Sequence, residues 1–348
     1  MKKNDVAARG RSAGERGTFE CYLTYACNQR CVFCFTPGEL RRSGAIPFAR
    51  LAREIRAARR RGHTELSLLG GEPTVHPDIE RIVALARDLG FSRVFTFSNG
   101  QRYADPAFAG RMRAAGLFGS YLSVHGHTPA LHDAVTGVPG SFRKAVAGVK
   151  NLLAAGVYPV LICVVQRRNA RYLRQYAEYF SALGVRRYVM FGLKFQGRLV
   201  EEALRSRRFL LGAPQAAAAV RDVFGWFRAR SAMPPLVEHF PPCLLPGYEE
   251  RMTDYYPEAR PRRDADYGCL HPGEGADSSL GRAYKDLVYL PGCARCAYRA
   301  GCQGIDANYL AVFGPAGFEP AAAAARPFYA GWPPRARAAA RLRFQDLP

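Results

Sequence analysis

Apolar and polar positions along this chain alternate between two periods. Short apolar runs of strand length occur at Phe19–Tyr25, Glu65–Leu69, Arg93–Phe97, Ser120–Val124, Tyr158–Val165 and Arg187–Phe191. Between several of them apolar residues recur at i, i+3, i+4 and i+7, the spacing that lines one face of an α-helix. Phe48, Leu51, Ala52 and Ile55 follow Pro47 in this way and Gly62 closes the segment, while Ile79, Ile82, Val83 and Ala86 follow Pro77. Phe142, Val146, Val149 and Leu153 follow Ser141 and stop at Gly156; Leu173, Tyr176, Ala177 and Phe180 follow Asn169, whose side chain suits an N-cap. Six β-α units in succession predict an α/β fold with a parallel sheet and right-handed crossovers.

The flanks differ in texture. Residues 1–17 are polar, basic and Gly-containing, which predicts a disordered tail. Residues 18–205 hold the repeating units, and an amphipathic helix after Pro214, with Val220, Val223, Phe224 and Phe227 on one face, makes 206–235 a helical linker. A small Cys-rich domain is expected over 236–320, where Pro, Gly and Tyr accumulate with five cysteines and too little apolar periodicity for a conventional core. Metal ligation would compensate for that deficit. Residues 321–348 form an Ala/Arg/Pro-rich extension, expected to be poorly packed with one short helix near Arg335–Leu342. No internal repeat is evident.

Composition narrows the setting. At 348 residues and 48% hydrophobic content the chain can bury a sizeable core. No stretch reaches the ~18 apolar residues of a membrane span, and Met1–Asp5 lack the apolar run of a signal peptide. A cytoplasmic location follows, and in that reducing setting ten cysteines read as metal ligands before disulfides. The net charge of +21 raises nucleic acid as a partner. Yet 44 of the 50 basic residues are Arg in an Ala-rich chain, a pairing that reads as base composition, and they scatter over helix faces, as at Arg53, Arg56, Arg59, Arg60 and Arg61. Without an aromatic-interleaved basic strip, a nucleic-acid partner is disfavoured, and an anionic substrate or acidic peptide is accommodated as easily.

The candidate chemistry is carried by cysteine. Cys27, Cys31 and Cys34 form a Cys-x3-Cys-x2-Cys run just after the first strand. Three such thiolates can hold three irons of a four-iron cluster and leave the fourth open, whereas structural zinc would want a fourth nearby ligand. The next candidates, Cys21 and His63, are not at ligand spacing. A second run, Cys293-x2-Cys296-x5-Cys302 followed by Gly304, supplies three more thiolates, and structural zinc is its alternative occupant. Cys21 and Cys163 fall in strands and read as small buried hydrophobes.

The first cysteine run, together with Gly70-Gly71-Glu72-Pro73 straight after the second strand, resembles the radical S-adenosylmethionine (radical SAM) superfamily. The resemblance implies a partial (β/α)6 barrel whose chemistry lies at the C-terminal strand ends. It implies that Cys27, Cys31 and Cys34 hold a 4Fe-4S cluster whose open iron chelates S-adenosylmethionine, and that Phe33 lies beside the adenine. Gly70, Gly71, Glu72 and Pro73 would receive the ammonium, with Glu72 supporting the polar network. Ser98 and Asn99 of Thr96–Gly100 match a Thr-x-Asn-Gly-like segment, and Ser123 of Leu122–Gly126 matches a hydroxyl that meets the ribose or carboxylate. His125 and His127, in the same loop, are candidates to touch substrate. Gln166 and Asn169 after the fifth strand, and Gly192 and Leu193 after the sixth, are candidates for the cofactor pocket by position alone.

The second cysteine run resembles the SPASM and twitch extensions of that superfamily, which implies one auxiliary 4Fe-4S cluster. Its fourth ligand is read as Cys243, with Cys269 the alternative. The implied activity is reductive cleavage of S-adenosylmethionine to a 5'-deoxyadenosyl radical, which abstracts a substrate hydrogen. The expected outcome is oxidative modification of a peptide or protein, with a sugar or nucleoside as the alternative substrate. A flavodoxin or ferredoxin would donate electrons. With 26 residues before Cys27 there is no room for a fused leader-binding domain, so a separate peptide-recognition protein is expected. A non-catalytic iron-sulfur carrier or binding protein is the reading from another class.

Overall fold

A computed structural model describes residues 16–34, 36, 44–200, 207–254, 268–270 and 287–341. The six expected strands are β1 (Arg16–Thr24), β2 (His63–Gly70), β3 (Arg93–Ser98), β4 (Gly119–Ser123), β5 (Tyr158–Val164) and β6 (Tyr188–Phe191), each parallel to the next. Two short strands extend the sheet beyond what periodicity indicates. β7 (Leu236–Glu238) joins β6, and β8 (Gly268–Leu270) joins β1, giving the order β7-β6-β5-β4-β3-β2-β1-β8. Among the described residues β7 and β8 do not pair with each other, so the sheet is an unclosed partial barrel. Three-residue strands are too short for a two-residue period to stand out, which is why the sequence does not announce them.

Helices α1 (Phe48–Arg60), α2 (Ile79–Asp88), α3 (Pro106–Ala115), α4 (Pro129–Thr136), α5 (Ser141–Ala154), α6 (Leu173–Ala182) and α7 (Ala213–Ala229) accompany the strands. Proline stands in the first turn of α3, α4 and α7, where its missing N–H has no bond to lose. α1 buries Leu51, Ala52, Ile55 and Ala58, and Phe48 lies half-buried with the Arg81 guanidinium 4.0 Å from its ring centre. Asn169 is not the N-cap of α6: the turn Ala170–Tyr172 intervenes and its side chain is used elsewhere. β5 is buried on both faces. Leu161 and Cys163 join the large core, whereas Val160 and Ile162 join a separate cluster with Val189.

The expected tail of residues 1–17 lies outside the described residues, apart from Arg16 and Gly17, which are strand. The Cys-rich segment is built into the barrel: it supplies β7, β8, and a hairpin of β9 (Leu287–Val288) with β10 (Ile305–Asp306), followed by α8 (Ala307–Phe313). Ile305, Tyr309 and Phe318 join the main core. Most described residues of the C-terminal stretch are exposed, with a small aromatic cluster as the exception. Phe328 stacks on Tyr248 with ring centres 4.5 Å apart, and Tyr329, Trp332 and Ala336 are buried ahead of or within α9 (Pro334–Arg341). These aromatics sit on Pro-rich turns with no regular period, so hydrophobic patterning does not register them.

Candidate active site

The register of β1 shifts between Tyr22 and Thr24, and the chain then turns into the Cys27–Cys34 loop. Irregularities of this kind re-aim a chain at sheet ends. The loop is pinned to the end of α4: Arg30 N–H donates to Thr136 O at 2.9 Å and Val32 N–H to Val135 O at 3.0 Å. All three thiols are partly exposed. Gln29 sits among them, its N–H donating to Cys27 Sγ and its Oε1 accepting from Cys31 Sγ, each at 3.4 Å. Its Nε2 is buried and has no hydrogen-bond partner. A buried donor without an acceptor is costly, and the sulfides of a cluster are acceptors. Three thiolates without a fourth ligand at the loop suit a four-iron cluster that leaves one iron open better than a closed zinc tetrahedron.

Behind this loop the ends of β2 and β3 are tied together by one carboxylate. Glu72 is fully buried, and its Oε1 accepts from Thr74 N–H at 3.1 Å, the Thr74 hydroxyl at 2.5 Å and the Ser98 hydroxyl at 2.8 Å. Its Oε2 accepts from Asn99 N–H at 2.6 Å. Burial pushes the Glu72 carboxyl up, and these four donors pull it back in part. Asn99 passes the network forward, donating to Asn28 Oδ1 at 2.5 Å and lying 3.9 Å from Cys27 Sγ. Ser98 and Asn99 therefore brace the cysteine loop.

Gly70 and Gly71 serve the same junction. A Cβ on Gly70 would meet Thr24 O at 2.0 Å, and one on Gly71 would meet the carbonyl oxygens of Tyr25 and Ala26 at 2.3 Å. The missing side chains let β2 close on the backbone just before Cys27. Pro73 starts a buried turn over Pro73–Val75.

The remaining pocket candidates divide. Phe33 is partly buried and packs edge-on against His125, ring centres 4.8 Å apart. His125 is buried, kept neutral by desolvation and by His132, and its Nδ1 accepts from Val164 N–H at 3.3 Å. Ser123 ends β4, partly exposed. The Asn169 side chain clasps β4 to β5: its Nδ2 donates to His125 O at 3.0 Å and Val164 O at 2.8 Å, and its Oδ1 accepts from Gln166 N–H at 2.9 Å. His127 remains partly exposed beside Tyr172.

The second cysteine run forms its own site. Cys243, on the turn Pro242–Leu244, lines one cavity of about 380 Å³ with Cys293, Cys296 and Cys302. Burial, then the neighbouring Cys302, Cys296 and Cys293, pushes the Cys243 thiol up to about 12. Gly304 has φ +105° and a Cβ there would meet Val288 O at 2.8 Å, so this glycine lets the β9–β10 hairpin close around Cys302. Cys269 is elsewhere: it lies on β8 opposite Glu20, close enough to Cys21 to raise that thiol. Four soft thiols around one cavity are a donor set that suits a closed four-iron cluster or structural zinc.

A larger cleft of about 800 Å³ opens beside this cavity, lined from the barrel by Leu193, Lys194 and His239 and from the hairpin side by Cys302, Asp306 and Tyr309. His239 has φ +62°, unusual for a side chain with a Cβ, with its N–H held by Asp254 Oδ2 at 2.8 Å and its carbonyl against Gly192. Burial lowers both the His239 and the Lys194 affinity for protons. The segment after β6 connects the two cysteine sites. Phe195 N–H donates to Asp306 Oδ2 at 3.2 Å, and Arg198 donates from its N–H to Cys34 O at 3.0 Å and from Nη1 to Arg30 O at 2.9 Å. Sequence reasoning missed Asn28, Gln29, Lys194, His239 and Asp254. Only Asn28 and Gln29 carried a signal, their place inside the cysteine run.

The radical SAM superfamily model matches residues 21–180. A probable GTP 3',8-cyclase of Saccharolobus solfataricus is 32% identical over 164 residues, 47% of this chain and 52% of that protein. Mycofactocin maturase MftC of Mycobacterium tuberculosis is 36% identical over 165 residues, 47% of this chain and 41% of that one. The chain thus spans about half the length of the curated relatives it matches. Streptococcus suis SuiB superposes with a TM-score of 0.65 at 16% identity when bound to S-adenosylmethionine, covering 86% of this chain and 74% of that one. Bound to precursor peptide SuiA it gives 0.63 at 15% identity, covering 86% and 73%. Those two likenesses speak for the fold. The matched segment holds both the cysteine loop and the Glu72 network, so residues 21–180 of this chain carry the match to the radical SAM superfamily.

Proposed function

We propose that this chain is a radical SAM enzyme that oxidatively modifies a peptide or protein side chain, with a cluster at Cys27, Cys31 and Cys34 and an auxiliary cluster at Cys243, Cys293, Cys296 and Cys302. The observation that carries the reading is the segment after β6, which lines the cleft with Leu193 and Lys194 and reaches the first cysteine loop with Arg198. One cleft therefore has a barrel wall tied to the first site and a hairpin wall containing a ligand of the second. The chemistry the bound groups supply is one-electron cleavage of S-adenosylmethionine.

The protein's share is positional. Glu72 and Asn99 fix the Cys27 end of the loop. The apolar cleft walls, Phe240, Tyr309 and Phe318 among them, exclude water and hold one substrate C–H in place. Oxidation at carbon releases a proton, and His239, kept neutral by burial, stands on the cleft wall to accept it. A peptide substrate is supported by MftC, a maturase, and by SuiB, whose fold is shared and which binds a precursor peptide. A small-molecule substrate is the second reading, favoured by the GTP 3',8-cyclase relative. A flavodoxin or ferredoxin is the proposed electron donor, and a separate protein would present the peptide.

Anaerobic incubation of the reconstituted, reduced protein with peptides encoded beside its gene, read by mass spectrometry, tests the assignment. Loss of hydrogen mass from one peptide is expected. Unchanged peptides together with turnover of a sugar or nucleotide would transfer the assignment to the second reading.

A further inference from the structure

The wall of the four-cysteine cavity carries two charged side chains, Arg299 and Glu319. The Arg299 guanidinium carbon lies 3.5 Å from the ring centre of Tyr289, a close stacked cation–π contact. Tyr289 is itself fixed, because its hydroxyl donates to Cys302 O at 2.7 Å. Arg299 is tied to the cysteines by its backbone as well: its N–H donates to Cys296 O at 2.9 Å. A long exposed arginine normally samples many rotamers. This one rests on an aromatic platform anchored to a cysteine ligand, at a site whose four thiolates would concentrate negative charge.

We propose that Arg299, held on Tyr289, is the residue that sets the reduction potential of the auxiliary cluster, with Glu319 opposing it. The inference rests on the auxiliary-cluster reading above. Its physics is the attraction between a fixed positive charge and the extra electron of the reduced cluster, which favours reduction. Screening by solvent limits the effect, since one edge of the cavity is open. Loss of the arginine charge should shift the reduction equilibrium about tenfold toward the oxidised form, which for one electron is about 59 mV. Tyr289 acts through Arg299 and is a positioning residue.

The test uses the full chain with Cys27, Cys31 and Cys34 replaced by Ala, so that only the auxiliary site can load. It reads iron content, visible absorption and the midpoint of an EPR-monitored redox titration. Arg299→Leu should lower the midpoint by the tenfold equivalent, Arg299→Lys should restore most of it, and Glu319→Gln should move it upward. Tyr289→Leu should fall between Arg299→Leu and the parent, while Tyr289→Phe, which keeps the ring, should stay closer to the parent. An Arg299→Leu midpoint within twofold of the parent's, or a Glu319→Gln shift in the same direction as Arg299→Leu, overturns the proposal. A parent that takes up no iron overturns the auxiliary-cluster reading instead, so the two failures are distinct.

Discussion

Gly71→Ala isolates the junction on which the first site depends. The added methyl would lie 2.3 Å from both Tyr25 O and Ala26 O and 2.6 Å from Tyr25 C, all backbone atoms that no rotamer change can move. Reaching even 3.0 Å, the shortest separation real Cβ atoms tolerate, needs a displacement of 3.0 − 2.3 = 0.7 Å. That shift stretches the bonds from Gly71 N–H to Thr24 O, now 2.7 Å, and from Glu72 N–H to Ala26 O, now 2.9 Å. Two backbone bonds at about 1 kcal/mol each, plus about 1–3 kcal/mol for overpacking, give roughly 3–5 kcal/mol. At about 1.4 °C per kcal/mol for a chain of this size, the apo protein should unfold roughly 4–7 °C lower. Cys27 follows Ala26 directly, so iron uptake at the first site should fall as well. Differential scanning calorimetry and iron analysis of the Cys293/Cys296/Cys302→Ala background measure both. Gly90→Ala, with nothing within 4 Å but φ +77°, is the comparison and should cost only about 1 kcal/mol. A Gly71→Ala protein that melts within 2 °C of its parent and loads normally would refute the reasoning.

Other outcomes follow from the same coordinates. Gly225 in α7 has open space around its missing Cβ, so Gly225→Ala should raise stability by about 0.5–1 kcal/mol; a lower melting temperature would contradict this. His132 is buried and its proton affinity is lowered to about 4, chiefly by desolvation. Its stabilising contribution is full above the ordinary histidine value of 6.5 and is lost as pH falls through about 4, a swing of about 3 kcal/mol. Urea unfolding of wild type against His132→Gln across that range should show the difference in slope, and parallel curves would sink the idea. Cys243→Ser should remove iron from the auxiliary site while Cys269→Ser should not, as read by iron content in the Cys27/Cys31/Cys34→Ala background; the reverse pattern would relocate the fourth ligand.

The barrel was legible because its signals are periodic. Leu51, Ala52 and Ile55 on α1, and Ile79, Ile82 and Val83 on α2, are buried as their spacing indicates. The cysteine runs were legible because ligand spacing is a local property. Three features were not. Three-residue strands such as β7 and β8 fall below any period, and the Phe328–Trp332 cluster packs through irregular turns. The use of a side chain is a matter of its surroundings, so nothing local to Asn169 says that its amide is consumed by His125 O and Val164 O. The choice between Cys243 and Cys269 had the same character: both are cysteines in a Cys-rich stretch, and only the path of the chain puts one in the cavity and the other beside Cys21.

The central claim is most directly tested anaerobically, by reconstituting the chain with iron and sulfide, reducing it, adding S-adenosylmethionine and quantifying 5'-deoxyadenosine by mass spectrometry. The account predicts formation by the wild type and none by a Cys27/Cys31/Cys34→Ala variant that still loads its auxiliary site. A wild type carrying both clusters that produces no more 5'-deoxyadenosine than that variant would contradict it.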